Sequence, residues 1–173
     1  MERRLDRNEY FMQIAELTAR RGTCDRAHVG AVAVKDKRIV MSGYNGSPPG
    51  MAHCSEVGHQ LENGHCIRTI HAEQNVVAQC AKNGIALDEV TMYVTHEPCY
   101  HCLKLLISAG VDLVIFKHAR TDKRTPLNFY DEIDVLQLKG CKLIDPRTGE
   151  IHLTDYTVGL INQRHIAIIG DIV

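Results

Sequence analysis

The sequence lacks a charge excess. Its 20 Lys and Arg stand against 21 Asp and Glu, for a formal net charge of −1, which leaves no bulk electrostatic pull toward a polyanion. It also lacks any apolar run near the roughly 18 residues of a membrane span. The start, Met-Glu-Arg-Arg-Leu-Asp, has no apolar stretch behind it, so no signal peptide is expected and the protein is predicted to be cytoplasmic, with no membrane partner. Internal repeats, low-complexity segments and interdomain linkers are missing too. One domain is therefore predicted over residues 1–173, with 155–173 as an unplaced C-terminal extension. A closed disulfide framework is excluded by arithmetic, because seven cysteines are an odd number. In a reducing compartment, metal binding or catalysis is the better use for them.

What the chain has in excess is soft ligands. Ten histidines accompany the seven cysteines, in a composition that is otherwise ordinary for a globular protein at 45% hydrophobic and 24% charged residues. Their clustering is what asks for an explanation, since a core accounts for only a few buried cysteines.

The order of elements predicts α/β layers. Asp6 and Glu9 have capping-box spacing, and Tyr10, Ile14, Leu17 and Thr18 follow at helical spacing. This predicts a helix over 7–21, stopped by Gly22. Residues 29–34 and 38–44 flank a turn and predict a β-hairpin. Residues 45–70 open on Asn45-Gly46-Ser47-Pro48-Pro49-Gly50 and show no period. They predict a long loop, of the kind that is usually functional. Beyond it come a helix over 72–83, a strand over 90–95, a helix from Pro98 to Ala109 and a strand over 111–116. A helix over 127–138 and a hairpin around 142–153 complete the prediction.

Chemistry concentrates in His71-Ala72-Glu73 and Pro98-Cys99-Tyr100-His101-Cys102. Two cysteines three apart at a helix start can aim both sulfurs at one point, and the positive helix end favours thiolate, the form that binds metal. A histidine at the start of another helix makes three ligands. Three protein ligands on Zn²⁺ leave a fourth position for water, the mark of a catalytic site. Glu73 then stands ready for proton transfer rather than ligation. A lone H-x-E is noise, and a lone C-x-x-C is equally a redox or structural motif. The joint order H-x-E…P-C-x-x-C is the signature of zinc nucleobase deaminases.

On these residues the chain resembles the cytidine deaminase superfamily. Val29-Gly30-Ala31-Val32, Gly43-Tyr44-Asn45-Gly46-Ser47-Pro48 and Gly64-His65-Cys66 resemble deoxycytidylate (dCMP) deaminases in particular, over about residues 8–120. The resemblance implies a three-layer α/β/α fold with a mixed five-stranded sheet. It also implies zinc-dependent deamination of dCMP to dUMP and ammonia for thymidylate supply, with Glu73 as the catalytic residue and His71, Cys99 and Cys102 as zinc ligands. It implies a homo-oligomer, a hexamer, activated by dCTP and inhibited by dTTP, with Mg²⁺ on the effector triphosphate. Asn45 falls at the family's substrate-binding asparagine, and Ala72 and His101 fall beside the reacting base. The glycine-rich segment Gly43, Tyr44, Gly46, with Arg21 and Arg26 near it in sequence, is where effector phosphates are expected. The bland alternative there is a tight turn.

A second zinc is also expected. Cys24 and Cys54 match positions that phage and bacterial members use for a structural zinc, and His65 and Cys66 would complete four ligands, with His59 as competitor. One departure stands out. Arg120 occupies a position where dCMP deaminases commonly carry an aromatic residue, which implies a changed phosphate or base contact and keeps dCTP open as a substrate. A tRNA base is a further alternative, disfavoured because the chain lacks a basic balance. From another class, a non-catalytic zinc-binding assembly protein would have no use for Glu73.

Overall fold

The computed structural model describes residues 3–119 and the backbone of residues 134–139, 142–145 and 149–150. Arg120, the basic residues Lys123 and Arg124, Cys141 and the extension 155–173 lie outside the described residues. Helix α1 (Arg7–Ala19) starts at the expected capping box: the Asp6 side chain accepts from the Glu9 N–H at 2.9 Å, and Glu9 accepts from the Asp6 N–H at 3.1 Å. Strands β1 (Gly30–Lys35) and β2 (Arg38–Tyr44) form the expected hairpin. Asp36 and Lys37 turn it with φ of 50° and 62°, the positive values that let a two-residue turn match the strand twist.

The long segment after β2 carries small elements of its own: α2 (Cys54–Val57), β3 (Leu61–Glu62) and β4 (His65–Cys66), with β3 and β4 paired antiparallel. Helix α3 (Ala72–Asn83) ends on Gly84 at φ 66°, in the left-handed region that glycine tolerates. Strand β5 (Val90–His96), helix α4 (Tyr100–Ser108) and strand β6 (Val111–His118) form a parallel crossover. Then come β7 (Asp134–Lys139), β8 (Lys142–Asp145) and β9 (Gly149–Glu150).

The sheet order is β2-β1-β5-β6-β7-β8-β9. It is mixed, since β1 pairs antiparallel with β2 and β5 while β5-β6 and β6-β7 are parallel. Five strands are expected and seven are found, because the chain after β7 folds back through β8 and β9. Of the helix expected over 127–138, residues 134–138 are corrected to strand β7, and residues 127–133 lie outside the described residues. Leu136 and Leu138 alternate with Val135 and Gln137, a period of two that the three-residue spacing of Leu127, Tyr130, Ile133 and Leu136 conceals.

Strand alternation builds the layers. Ala31, Ala33, Met92, Val94, Val114 and Phe116 pack toward α3 and α4, with Ala72, Val76, Cys80, Leu103 and Leu106. Val32, Val34, Tyr93, Leu113 and Ile115 pack on the opposite face against Phe11, Met12 and Ala15 of α1. Among the described residues, no helix is long and apolar enough to cross a membrane.

The α1–β1 contact is close. A Cβ on Gly30 would lie 2.0 Å from the Ala15 carbonyl oxygen and 2.6 Å from the Ala19 nitrogen, both backbone atoms that no rotamer change can move. Gly30→Ala is therefore expected to lower stability by at least the roughly 1–3 kcal/mol typical of overpacking, read as a drop in the urea midpoint. An unchanged midpoint would mean that α1 does not seat as described.

Candidate active site and metal centres

Two helices begin at the same end of the sheet, and each begins on a ligand. His71 is the N-cap of α3, where its N–H donates to Gln74 Oε1 at 2.8 Å. Cys99 is the N-cap of α4, and its carbonyl accepts from the Leu103 N–H at 2.9 Å. Cys102 follows in the first turn of α4. His71 Nδ1 lies 3.5 Å from Cys99 Sγ and 3.3 Å from Cys102 Sγ. A tetrahedral ion with Zn–S of about 2.3 Å and Zn–N of about 2.0 Å sets an N-to-S edge of about 3.5 Å. The three donors fit zinc in both chemistry and spacing, and no fourth side chain joins them among the described residues.

The two thiols are held unequally. The hydrogen bond from Cys102 pulls Cys99 down to about 3 against the opposing effect of burial, with help from His71. The same bond, and then burial, push Cys102 up. The two thiols are thus driven in opposite directions, with the thiolate favoured on Cys99. Glu73 is buried at 3% exposure, one residue inside α3. Burial raises its carboxyl above the ordinary range, and the neighbouring Cys99 adds to this, while His71 and a hydrogen bond with Cys102 work the other way.

Glu73, His71 and Ala72 line a cavity of about 170 Å³, together with Asn45, His65 and His96. Asn45 is buried, and its amide is used on the chain: Oδ1 accepts from the Val29 N–H and Nδ2 donates to the Ala27 carbonyl, both at 2.7 Å. It shapes the wall made by residues 27–29. His101 is exposed and lines a neighbouring cavity of about 660 Å³ with Tyr100 and Cys99.

In the segment expected to seat effector phosphates, the glycines pack closely. Gly43 and Gly46 are buried. A Cβ on Gly43 would lie 2.9 Å from the Ala72 carbonyl oxygen, and one on Gly46 would lie 2.9 Å from Thr23 Oγ1. These glycines allow close approach of α3 and of the loop after α1. Tyr44 is half-buried, and its carbonyl accepts from Asn75 Nδ2 at 3.0 Å. Arg26 lines the catalytic cavity and donates to the Gly64 carbonyl at 2.8 Å, while Arg21 is exposed.

A second cluster gathers Cys24, Cys54, His59 and Cys66. Cys54 Sγ lies 3.6 Å from Cys66 Sγ, and Cys24 Sγ lies 3.8 Å from His59 Nδ1, close to tetrahedral edges of about 3.5–3.8 Å. His65 is not in this group, and His59 takes the place expected for it. His65 and Cys66 are successive residues of β4 and both border the catalytic cavity, but only Cys66 joins the cluster. Burial pushes the Cys54 thiol up to about 12, and its hydrogen bond with Cys66 adds to the rise. Burial acts in the same sense on Cys66, but hydrogen bonds from the Arg68 backbone and from His59 outweigh it and bring that thiol down to about 6.

Sequence reasoning missed Asp25, whose Oδ1 lies 3.0 Å from His59 Nε2. Such a carboxylate behind a ligand histidine fixes the tautomer that offers the other nitrogen to metal. Its adjacency to Cys24 is the only signal the sequence carries. His96 was also missed, because nothing in its spacing separates it from other histidines.

The Glu73 environment has a measurable sign. Its carboxyl is raised in the folded state, so its contribution to stability is complete below the ordinary carboxylate range and is lost as pH rises through the raised value. In metal-free protein, Glu73→Gln is expected to have a higher urea midpoint than the parent at pH 7. The gap should close as pH falls below about 4. Equal midpoints at pH 7 would argue against a carboxyl buried as described.

Comparison with known proteins agrees with this geometry. The family model for the cytidine and deoxycytidylate deaminase zinc-binding region matches residues 5–118. ComE operon protein 2 of Bacillus subtilis strain 168 is 47% identical over 113 residues, which cover 65% of this chain and 60% of that protein's length. Deoxycytidylate deaminase of Mycobacterium phage D29 is 38% identical over 125 residues, covering 65% of this chain and 95% of the phage protein. The crystal structure of dCMP deaminase from the cyanophage S-TIM5, in complex with dCMP and dUMP, superimposes with a TM-score of 0.66 at 29% identity, over 79% of this chain and all of the phage chain.

Proposed function

The chain belongs to the cytidine and deoxycytidylate deaminase zinc-binding family, and we propose that it is a zinc-dependent dCMP deaminase, converting dCMP and water to dUMP and ammonia. The observation that carries this reading is the buried Glu73 carboxyl beside a three-donor zinc set with no fourth protein ligand among the described residues. A structural site closes its tetrahedron with side chains, whereas a catalytic one keeps a position open. Zinc bound there supplies the Lewis acidity that makes water a nucleophile at neutral pH. Ala72 and the wall held by Asn45 position the cytosine ring against the metal set. Glu73 takes a proton from the attacking water and places it on N3 of the base. As the C4–N4 bond breaks, Glu73 takes the remaining proton from the oxygen now on C4, leaving the carbonyl of dUMP, and passes it to N4, which departs as ammonia. Burial suits this work, because a carboxylate whose pKa is raised is a stronger proton acceptor.

Ammonia release should be followed with dCMP, CMP, dCTP, deoxycytidine and a tRNA. Turnover of dCMP is expected, and zinc-loaded protein that deaminates none of the five sinks the enzyme reading. Glu73→Ala is expected to keep its zinc and lose on the order of 10²–10⁴-fold in kcat.

The reading extends to a structural zinc on Cys24, Cys54, His59 and Cys66, whose four donors leave no position open. Two zinc ions per chain are expected by elemental analysis, and one in Cys54→Ser. Asp25→Asn should weaken zinc at that site by about tenfold. A parent protein with one zinc removes this second centre. Family membership also supports a hexamer in the cytoplasm that supplies thymidylate synthesis, with dCTP activating, dTTP inhibiting and Mg²⁺ accompanying the effector. Turnover measured with dCTP or dTTP added, and sedimentation of the holoenzyme, test these points.

A further inference from the structure

The second cluster is set into the wall of the catalytic cavity. Cys24 and Cys66 belong to the cluster and also line that cavity. Arg26, two residues beyond Cys24, donates at 2.8 Å to the carbonyl of Gly64, two residues before Cys66, and both line the same cavity. The loop after α1 and the turn between β3 and β4 therefore meet there through the Arg26 bond and through the cluster. The segment that carries the turn contributes little to the core. Strands β3 and β4 have two residues each. Its large apolar residues Met51, Val57, Leu61 and Ile67 are each at least half exposed. At its far end it is tied to the chain before it, where Gly46 and Ile70 exchange N–H···O bonds of 3.2 and 3.0 Å.

Two sulfurs of the cluster are neighbours with unequal access. Cys54 is buried, and its Sγ lies 3.6 Å from that of Cys66. Cys66 is half-buried and also lines the adjoining cavity of about 660 Å³, so a small solute reaches its sulfur first. The thiolate that binds metal is also the nucleophile toward a peroxide, and zinc has no redox chemistry of its own. A disulfide holds its sulfurs at about 2.05 Å. The remaining closure of about 1.5 Å falls on a segment of turns.

We propose that Cys54 and Cys66 are an oxidation site: hydrogen peroxide joins them as a disulfide, which frees the ion of the second centre and loosens the wall of the catalytic cavity. The site rests on the second zinc centre of the proposed function. Cys66 Sγ attacks one peroxide oxygen, the O–O bond breaks and hydroxide leaves, so that Cys66 carries a sulfenic acid. Cys54 Sγ then attacks that sulfur and displaces its oxygen as hydroxide. Two thiolates and one peroxide thus give one disulfide and, with two protons from solvent, two waters. Both sulfurs are oxidised, both peroxide oxygens are reduced, and zinc keeps its charge. Cys24 and His59 alone remain as donors, too few for a structural site. The competing target is the catalytic pair, since Cys99 lines the larger cavity as well.

The test treats zinc-loaded full-length protein with hydrogen peroxide. Elemental analysis after desalting counts the ions, and mass spectrometry of peptides maps the bridge. Backbone hydrogen exchange reads residues 24–29 and 61–70, and calorimetry reads dUMP binding. The ions are expected to fall from two to one, with Cys54 bridged to Cys66. Exchange should rise in both segments, and dUMP should bind at least about tenfold more weakly. Reductant and zinc together should reverse all four. Cys54→His keeps four donors and cannot form the bridge, so its ion count and its dUMP affinity, whatever the starting value, should not change on treatment. Equal losses in that variant overturn the proposal, and the parent measurements decide the question alone if the variant fails to fold. A bridge between Cys99 and Cys102 overturns it, as does a Cys54–Cys66 bridge that leaves exchange and dUMP binding unchanged. One zinc before treatment removes the second centre and the proposal with it, whereas two ions and no bridge remove the proposal alone.

Discussion

Everything at the site depends on α3 and α4 starting at one end of the sheet. His71 and Cys99 are both helix N-caps, and Cys102 sits one turn further along. Each side chain therefore leaves the backbone at a point fixed by capping geometry rather than by a free loop. Parallel pairing of β5 with β6 requires a crossover between them, and that crossover is α4. Its N-terminus follows the carboxyl end of β5, the place where open α/β sheets bind ligands. Close packing of Gly43 on α3 then fixes the opposite wall.

The same constraint sets the electrostatics. Two sulfurs near one imidazole cannot both remain ordinary thiols when they are shielded from water. Burial that would neutralise an isolated carboxylate leaves Glu73 beside Cys102 and close to the set. Proton affinity is thus distributed across a small volume by position, with the neutral form favoured on Glu73 and Cys102 and the ionised form on Cys99.

The catalytic set was legible in sequence because helix starts and C-x-x-C spacing translate directly into side-chain convergence. The layer order was legible because β1, β5 and β6 are short apolar runs and the helices between them have clear stops. The fourth member of the second cluster was not. Choosing between His59 and His65 requires knowing that residues 65–66 form a strand, and two residues of strand leave no period to detect. A glycine that admits a phosphate and one that admits a close neighbour are the same letter, so the packing of Gly43 against α3 was not legible either. Beyond β6, the spacing of Leu127 to Leu136 suited a helix, while pairing to β6 decided for a strand. That pairing is long-range information that a local window does not contain.

The cluster of Cys24, Cys54, His59 and Cys66 draws on the loop after α1, the short helix α2, the segment behind it and β4. An ion held by all four joins parts of the chain that share no long strand pairing. It thereby acts as a cross-link. The entropy removed from the unfolded chain grows with the length of the loops so closed. With such an ion bound, a segment of turns and two-residue strands, with little hydrophobic surface to bury, would gain its order from that closure rather than from a core.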